Sequence, residues 1–507
     1  MRGDSDDQGL LWDANVLCND LLDDEGFLAT LGRARGVVFS DEDFDPLYPS
    51  RRGRPSHPPS VLATLLLAQL FYGLSDRESE RRSRLDLSWK AALGLPLDHR
   101  GIPHACLAEF RARLLRAGMV EFLHQRFLGV AKAAGVIGHR RAVDSSGIAD
   151  SVLTQDTVSL IRSALRSVLE RLGVVDAQRA HLARQALVRD DYDAAGKPQI
   201  CWASASERAQ LLNELFIDAA NAVSSCGGID DVELVSAVSL LVTVAGQDLE
   251  SDPDDDGVRI RQGTAPERVI STVDVETRHG HRSRRDRYDG YKLHLLVDAD
   301  SDLLTAVEAT SATTHDATVL PRLLDADPVA VAEVLGDTHY GPAATRIELA
   351  KGGIEVVAPA PPPPAPAGLF SKDDFEVDLD GGTVTCPAGE TAPIPAMGTR
   401  GRAQARFGAA RCAACPLRSR CTTSPKGRTV EISADEAVLA EARAARWTPA
   451  FRDRYRERSR VERKVAQVKF RSGKLPWRGL LKANAWLNLR VAALNLDRIG
   501  RLGLVEA

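Results

Sequence analysis

The sequence predicts an α/β protein of several domains, because strand-like and helical segments both recur along a long chain. At 507 residues the chain exceeds one ordinary domain of ~100–200 residues. The apolar segments 291–297 and 303–309 are joined by an acidic turn, as in a β-hairpin. Residues 150–250 instead carry leucines at helical spacing and lack strand alternation. Both a sheet and blocks of helices are therefore expected.

The N-terminal part predicts a compact helical domain over residues 39–135, preceded by a leader with weak signals. Ser40 and the acidic residues after it indicate a helix start, since acceptor side chains and negative charge suit helix N-termini. Ser75 is expected to cap a charged helix in the same way. An Arg-studded helical module suits the recognition of DNA ends, and a packing domain is the alternative. The helices expected here cover residues 61–72, 76–84 and 106–115.

Short apolar segments that end in a carboxylate predict the strands of the sheet. One segment leads into Asp144 and another leads into Asp337. An aspartate after a strand is commonly a turn former or helix cap, so neither position is diagnostic by itself. Further strands are expected at residues 269–273 and 354–357, a helix cap at 314–316, an acidic linker at 252–256 and a stiff proline-rich linker at 358–367.

Composition favours a cytoplasmic protein outside the membrane. The longest apolar run falls short of the ~20 residues that a membrane helix needs. The acidic N-terminus, MRGDSDDQG, does not resemble a signal peptide. Disulfides are rare in the cytosol, so clustered cysteines there indicate a metal site.

The net charge of −5 hides a basic C-terminal quarter. Residues 400–507 hold 25 Lys and Arg against 9 Asp and Glu, a balance of +16 that leaves −21 for the rest. Lys and Arg that neutralise phosphates dominate affinity for nucleic acids. Charge alone leaves two interpretations open, a polyanion-binding surface and a solvated basic helix face.

Four polar residues near the C-terminus form the strongest single pattern. Tyr455, Arg458, Glu462 and Lys469 have offsets of 0, 3, 7 and 14. At about 100° per residue they fall within a 60° arc of one continuous helix. Amphipathic helices normally give such a coherent stripe to apolar residues. A carboxylate between cations suits a metal ligand beside phosphate-binding groups, whereas the alternative is a helix with ordinary ion pairs.

The spacing Tyr-x2-Arg-x3-Glu-x6-Lys resembles the Y-R-E-K signature of DDE transposases from bacterial insertion sequences. The resemblance covers most of the chain, except the leader and parts of residues 150–265. The other similar blocks are Gly53-Arg54-Pro55-Ser56, Leu74-Ser75-Asp76-Arg77-Glu78, Val143-Asp144-Ser145-Ser146, Gly290-Tyr291-Lys292-Leu293-His294, Gly336-Asp337-Thr338-His339-Tyr340 and Arg458-Ser459-Arg460-Val461-Glu462-Arg463.

The resemblance implies a ribonuclease-H-like core, a mixed sheet whose first and fourth strands present aspartates and whose later helix presents a glutamate. Asp144, Asp337 and Glu462 would then hold two Mg²⁺ (or Mn²⁺) ions, with Asp144 bridging both. Two such ions, about 4 Å apart, activate the attacking oxygen and stabilise the leaving one. Arg458, Lys469 and Tyr455 would contact DNA. The implied activity is endonuclease cleavage at the ends of an insertion sequence and strand transfer into target DNA.

Three further residues are candidates for the same site. Asp274 follows the segment 269–273 and is the main rival to Asp144 as a metal ligand. His315 and His339 are candidates for lining the site, although structural hydrogen bonding is the favoured interpretation of both.

The second constellation consists of Cys386, Cys412, Cys415 and Cys421, half of the chain's eight cysteines. A C-x2-C pair is a typical zinc half-site, and two more thiols would complete a tetrahedral shell. Such a closed site would be structural, because no ligand position stays open. A structural Zn²⁺ is expected, with a reduced metal-free cluster and an iron–sulfur cluster as alternatives.

The expected architecture is a helical N-terminal domain followed by an interrupted ribonuclease-H-like core. The expected partners are double-stranded DNA, both terminal repeats and target, and a second copy in a synaptic homodimer. The rival functions are a non-enzymatic zinc- and DNA-binding protein and a nuclease that only hydrolyses. The expected divisions are 1–38 leader, 39–135 helical domain, 136–149 first part of the core, 150–265 helical insertion and acidic linker, 266–360 second part of the core, 361–430 proline-rich linker and zinc-binding four-cysteine module, and 431–507 basic helical end of the core.

Overall fold

The computed structural model describes most of the chain. Parts of the expected leader, acidic linker and proline-rich linker lie outside the described residues. The described ranges are 1–4, 13–22, 25–50, 52–194, 196–253, 256–281, 285–363, 365, 368–399, 401–470 and 473–505.

The N-terminal part is helical, as the sequence predicts. The expected helix at Ser40 is instead a 3-10 turn, Glu42–Leu47, which contains Pro46. Ser75 caps its helix as expected, because its side chain accepts a hydrogen bond from the Glu78 backbone. The helices are α1 (Ala14–Leu17), α2 (Phe27–Val37), α3 (Pro59–Tyr72), α4 (Asp76–Leu85), α5 (Leu87–Leu93), α6 (His104–Arg116) and α7 (Phe122–Ala133).

Strand β1 (Arg140–Ala149) is followed by a helical insertion with a hydrophobic core of its own. The leucines expected at helical spacing are buried in this core, but Phe216 is 46% exposed and lies outside it. The insertion consists of α8 (Thr157–Val175), α9 (Ala177–Gln185), α10 (Ala205–Ser225), α11 (Val232–Asp248) and the hairpin β2 (Leu249–Ser251) and β3 (Val258–Ile260).

The strand expected at residues 269–273 is wrong, since this segment is irregular in the structure. Gln155 and Gln247, rather than a neighbouring strand, bond its backbone, and the Gln155 N–H donates to the Ile270 carbonyl at 2.9 Å. Gln155 accepts from the Thr272 N–H at 2.7 Å, and Gln247 both accepts from the Val269 N–H and donates to its carbonyl at 2.9 Å. Buried apolar residues therefore produced a strand-like pattern without a strand.

The chain then returns to the sheet that β1 began. The expected hairpin is confirmed, and its two strands pair antiparallel across residues 291–311. The elements are β4 (Arg278–His281), β5 (Arg287–Asp298), β6 (Leu304–Ser311), α12 (Asp316–Asp325), β7 (Glu333–Leu335), α13 (Ala343–Lys351) and β8 (Glu355–Val357).

A small module follows with its own apolar cluster. It comprises β9 (Glu376–Asp378), β10 (Thr383–Thr385), β11 (Thr391–Pro393), β12 (Arg402–Arg406), α14 (Ala409–Ala414), α15 (Arg418–Cys421) and β13 (Thr429–Ser433). Helices α16 (Glu436–Ala445), α17 (Pro449–Tyr455), α18 (Ser459–Lys469) and α19 (Leu480–Arg501) complete the described fold.

The central sheet is mixed, in the order β4-β5-β1-β7-β8, with β6 also pairing with β5. Strand β1 is antiparallel to β5 and parallel to β7, and β7 is parallel to β8. In the parallel pairing of β1 and β7, Ala142 lies opposite Leu335, the last residue of β7. Asp144 and Asp337, each two residues further along its chain segment, therefore come close together.

Helix α19 anchors this sheet to the N-terminal helices. Asn495 and Asn484 hydrogen-bond the backbone of β6 at Leu304 and Ala309, with distances of 2.8–2.9 Å. These amides satisfy an edge strand that would otherwise present free backbone groups. In the described residues, no helix is long and apolar enough to cross a membrane.

Candidate active site

Asp144 lies in the middle of β1, opposite Leu295 of β5. Val143 beside it is fully buried, which fixes the strand's face and leaves the carboxylate half-buried. The Ser145 N–H donates to the carboxylate at 2.8 Å. Burial raises the pKa of Asp144 to about 6, and the nearby carboxylates of Asp337 and Glu462 act in the same direction. The three acids therefore converge, although they come from distant parts of the sequence.

Asp337 follows β7 and caps the 3-10 turn Thr338–Tyr340. One of its oxygens accepts from the His339 N–H at 2.8 Å, and the other lies 3.0 Å from the His339 imidazole. Asp337 therefore does cap a turn, which was the alternative interpretation of this residue. Its side chain is nevertheless 28% exposed, and its charge acts on Asp144. The His315 ring lies 6.5 Å from the His339 ring, so both histidines border this side of the site.

Glu462 stands in the first turn of α18 and is 58% exposed. Arg458 donates to it at 2.6 Å. The Arg458 guanidinium is only 16% exposed, and its nearest charges include Asp144 and Asp337 as well as Glu462. One cation thus sits among three anions, and its buried Nε atom has no hydrogen-bond partner among the described residues.

The continuous helix expected for the polar stripe is wrong. Helix α17 ends at Tyr455, residues Arg456–Arg458 form a 3-10 turn, and α18 begins at Ser459. A 3-10 turn has about 3.0 residues per turn rather than 3.6, so the assumed angles do not hold across it. Arg458 and Glu462 are nevertheless in contact, as the stripe predicted, because residues four apart still lie close together across this turn and the start of α18.

Tyr455 stays beside the site, with the Arg458 guanidinium 5.9 Å from its ring centroid, whereas Lys469 bonds the backbone of β1. Tyr455 stacks on Phe451 at 5.3 Å between ring centroids and packs against Leu335. Lys469 donates to the Gly147 carbonyl at 2.7 Å and to the Ser146 hydroxyl at 3.1 Å. Lys469 therefore ties the end of α18 to β1, just after Asp144.

Asp274, the rival ligand, lies elsewhere. It is 4% exposed and accepts hydrogen bonds from the Tyr291 hydroxyl at 2.8 Å and the Gly479 N–H at 2.7 Å. Its acidic neighbour is Asp150, six residues beyond Asp144 and just after β1, hence about 20 Å along an extended chain. Asp274 thus joins the start of α19 to the sheet.

Tyr340 is a site residue that the sequence motifs did not single out. It is 1% exposed, and burial raises the pKa of its phenol, with the charges of Asp316, Asp144 and Asp337 adding to the effect. The only sequence signal was its position in the block that contains Asp337. Its buried phenol lies close enough to Asp144 and Asp337 for their charges to act on it.

The four cysteines line one cavity of about 530 Å³ in the small module. All are reduced and partly exposed. Burial raises the pKa of the Cys421 thiol, and the other three thiols lie close enough to contribute. Gly427 stands beside Cys412 with φ of +87°, and a Cβ there would meet the Phe407 carbonyl at 2.4 Å. The backbone around the cavity is therefore tightly constrained.

Geometry and chemistry give different answers on whether the three carboxylates and the four cysteines could each hold a metal ion. In the described part of the chain, no three His, Cys, Asp or Glu side chains have the arrangement of metal ligands. The donor sets nevertheless fit chemically, because carboxylate oxygens suit Mg²⁺ or Mn²⁺ and thiolates suit Zn²⁺.

Comparison with known families gives two matches. Residues 18–113 match a transposase domain (DUF772), and residues 385–500 match a transposase DDE domain. The second match contains Glu462 and the four cysteines, whereas Asp144 and Asp337 fall between the two. No curated protein and no solved structure matches the chain. One transposase domain match near each end is the arrangement typical of insertion-sequence DDE transposases.

Proposed function

We propose that the chain cuts DNA at the ends of an insertion sequence and joins those ends to target DNA, using Asp144, Asp337 and Glu462 as ligands of divalent cations. The convergence of these three carboxylates carries the proposal. They arise from β1, the segment after β7 and α18, and they perturb one another's charge. Converging like charges need a cation, and Arg458 supplies only one.

The topology supports the proposed ribonuclease-H-like core. Counted along the core, the strands β1, β5, β6, β7 and β8 take the spatial order 3-2-1-4-5, with the first three antiparallel and the last two parallel to the first. The acids then belong to the first strand, the end of the fourth strand and a later helix. This is the placement implied by the family resemblance.

Each residue has a proposed task in the reaction. Asp144, Asp337 and Glu462 would hold Mg²⁺ or Mn²⁺, which supplies Lewis-acid activation of the attacking oxygen and charge stabilisation of the leaving one. Arg458, once released from Glu462, would hold the scissile phosphate by its guanidinium fork. Lys469 holds β1, the strand that carries Asp144, against the end of α18 through its hydrogen bond to the Gly147 carbonyl. Tyr455 would border the DNA path.

The remaining parts of the proposal follow from the same assignment. The Cys386, Cys412, Cys415 and Cys421 module would bind one structural Zn²⁺ and stabilise the segment between Asp337 and Glu462. Two element ends must be joined together, so a homodimer in a synaptic complex on double-stranded DNA in the cytoplasm is proposed. The domain divisions expected from the sequence stay a proposal, although α2, which lies within the expected leader, packs into the same core as α3.

The test is incubation of the full chain with DNA that carries both of its own element flanks, with Mg²⁺ or with chelator. The expected result is metal-dependent cleavage at the flanks followed by joining to a target plasmid. Cleavage without joining would support a hydrolytic nuclease. Binding of the flanks without any cleavage would support a non-enzymatic DNA-binding protein.

A further inference from the structure

A second cavity lies behind the helix that carries Glu462. Its volume is about 450 Å³, and ligand pockets commonly span ~300–1,000 Å³. Lys464, two residues after Glu462 and hence about 200° around α18, points to this side. Phe71 and Tyr72 from the end of α3 and Arg498 from α19 complete three walls. The cavity therefore joins the N-terminal helices to the back of the candidate active site.

The Lys464 ammonium has no counter-ion of its own within the described part of the chain. The residue is 8% exposed and, among described residues, has no hydrogen-bond or ion-pair partner. A buried charge without a partner costs free energy. The charged groups that face it are Asp302, Asp497, Arg498 and Arg501.

These neighbouring acids are already paired with arginines. Arg460 donates to Asp302 at 3.0 Å, and Arg501 donates to Asp497 at 3.0 Å. Arg498 donates to the Ser301 carbonyl at 2.7 Å and, among described residues, has no paired carboxylate. The cavity thus offers two cations, Lys464 and Arg498, to an anion from outside.

Aromatic rings line the mouth of the same cavity. Phe470 lines this cavity and is 59% exposed. Phe71 stacks on Phe27 at 3.7 Å between ring centroids, so one of its faces is already covered. Phe470 and Lys464 line the same cavity, and this combination of ring and cation matches a nucleotide, whose phosphate needs charge and whose base stacks on aromatic side chains.

We propose that this cavity binds one nucleotide of a single DNA strand, with the phosphate at Lys464 and the base against Phe470. A cavity of this size cannot admit a double helix. The proposal rests on the proposed function only in that DNA is the partner. Arg490, which also lines the cavity, donates to the carbonyls of Phe71 at 2.8 Å and Gln467 at 2.7 Å and so holds α3 against α18.

The test measures binding of a fluorescein-labelled single-stranded dodecamer to the full chain in chelator. Lys464→Met should weaken binding roughly tenfold and reduce the log–log salt slope by about one unit, because one phosphate contact is lost. Phe470→Leu should weaken binding roughly tenfold with the salt slope unchanged, because it removes stacking and no charge. Lys482→Met, an exposed lysine on α19, is the matched control and should change binding less than twofold.

Thermal unfolding of the free variants separates function from structure. Lys464→Met removes an unpaired buried charge, so its unfolding midpoint should stay equal to the native one or rise. A lower midpoint together with unchanged dodecamer binding would overturn the proposal and make Lys464 a packing residue. Competition by deoxyadenosine monophosphate should exceed competition by inorganic phosphate. Lys464-dependent binding of inorganic phosphate alone would identify a free-anion site and would also overturn it.

The same measurements in an Asp144→Asn background keep the two proposals apart. Dodecamer binding that depends on Lys464 should persist there, since no metal or cleavage is involved. Absence of flank cleavage by the native chain would therefore contradict the proposed catalytic function without contradicting nucleotide binding in this cavity.

Discussion

Strand β1 has a carboxylate cluster at Asp144 and leads into another at Asp150, and the two clusters are bonded differently. At the Asp150 end, Asp274 receives the Tyr291 hydroxyl and the Gly479 and Glu276 N–H groups. Burial and the neighbouring Asp274 raise the pKa of Asp150, whose Oδ2 atom is buried without a hydrogen-bond partner among the described residues. The protein itself therefore satisfies Asp274.

Each carboxylate of the Asp144 cluster has fewer hydrogen-bond partners than Asp274 and is more exposed to solvent. Among the described residues, Asp144 accepts only from the Ser145 N–H, and Glu462 accepts only from Arg458. Within this described part of the chain, Asp337 is bonded only by the N–H and the ring of His339. Spare carboxylate oxygens and partial exposure are what a metal ligand requires. The comparison teaches that the number of protein donors, rather than the presence of acids, separates a binding site from a structural clamp.

Removal of the site carboxylates should have the largest effect. Asp144→Asn, Asp337→Asn and Glu462→Gln should each reduce cleavage roughly a thousandfold or more, because each removes a ligand charge but preserves shape. Folding and DNA binding should stay near native. The measurement is flank cleavage with Mg²⁺ beside thermal unfolding.

Asp274→Asn is the matched control at the structural end of the strand. It should lower the unfolding midpoint, because it weakens the clamp on the start of α19. Cleavage per folded molecule should survive. A selective loss of cleavage in Asp274→Asn with an unchanged midpoint would give the ligand role to Asp274 and break the comparison.

Loss of zinc should be the next largest effect. The purified chain should contain about one zinc atom, and binding energy at a structural site is folding energy. Cys412→Ser with Cys415→Ser should release the metal and destabilise the small module, as followed by elemental analysis and limited proteolysis. A metal-free preparation whose proteolysis is unaffected by chelator would contradict this.

Arg458 and Lys469 should affect cleavage to an intermediate degree and for different reasons. Arg458→Ala should weaken binding of cognate and random ends alike and lower the salt slope by about one unit, since phosphate contacts carry no sequence information. Lys469→Ala should slow cleavage more than it weakens binding, because its ammonium holds β1 at Gly147.

The choice of control for these cations depends on the structure. Arg443 is unsuitable, since it pairs with the buried Glu436 at 2.6 Å and its loss would destabilise the module. Arg452 is exposed and has no side-chain partner among the described residues. If Arg452→Ala reduced cleavage as much as Arg458→Ala, bulk positive charge would explain the effect.

The smallest expected effect concerns the pH dependence of stability. Because the pKa of Asp150 is raised in the folded chain, folding takes up a proton, and stability should fall as pH rises from the ordinary value of 3.8 through the raised pKa. Asp150→Asn should flatten this decline in the unfolding midpoint. An unchanged decline would show that Asp150 ionises freely.

Local signals predicted much of the fold. The hairpin β5–β6, the cap at Ser75 and the leucine-lined insertion depend on neighbours in sequence, so pattern and propensity sufficed. The strand predicted at residues 269–273 was wrong because the side chains of Gln155 and Gln247, which are distant in sequence, bond that backbone in place of a strand. Burial alone does not distinguish the two cases.

The candidate site was predictable to a smaller extent. The motif pointed to Asp144, Asp337 and Glu462, which lie close enough for their charges to interact, and their role as metal ligands stays a prediction. The 3-10 turn before α18, the anchoring of Lys469 and the burial of Tyr340 depend on tertiary packing that no periodicity encodes. Nor could spacing show that Asp274 would be occupied by hydrogen bonds.

Metal rescue tests the central claim most directly, because it reports ligation rather than activity alone. A thiolate binds Mg²⁺ poorly and Mn²⁺ or Cd²⁺ better. Asp144→Cys should therefore be inactive on flank DNA with Mg²⁺ and regain cleavage with Mn²⁺ or traces of Cd²⁺, while Asp274→Cys should show no such switch. Equal activity of Asp144→Cys in Mg²⁺, or a metal switch that appears in Asp274→Cys instead, would contradict the assignment of the site.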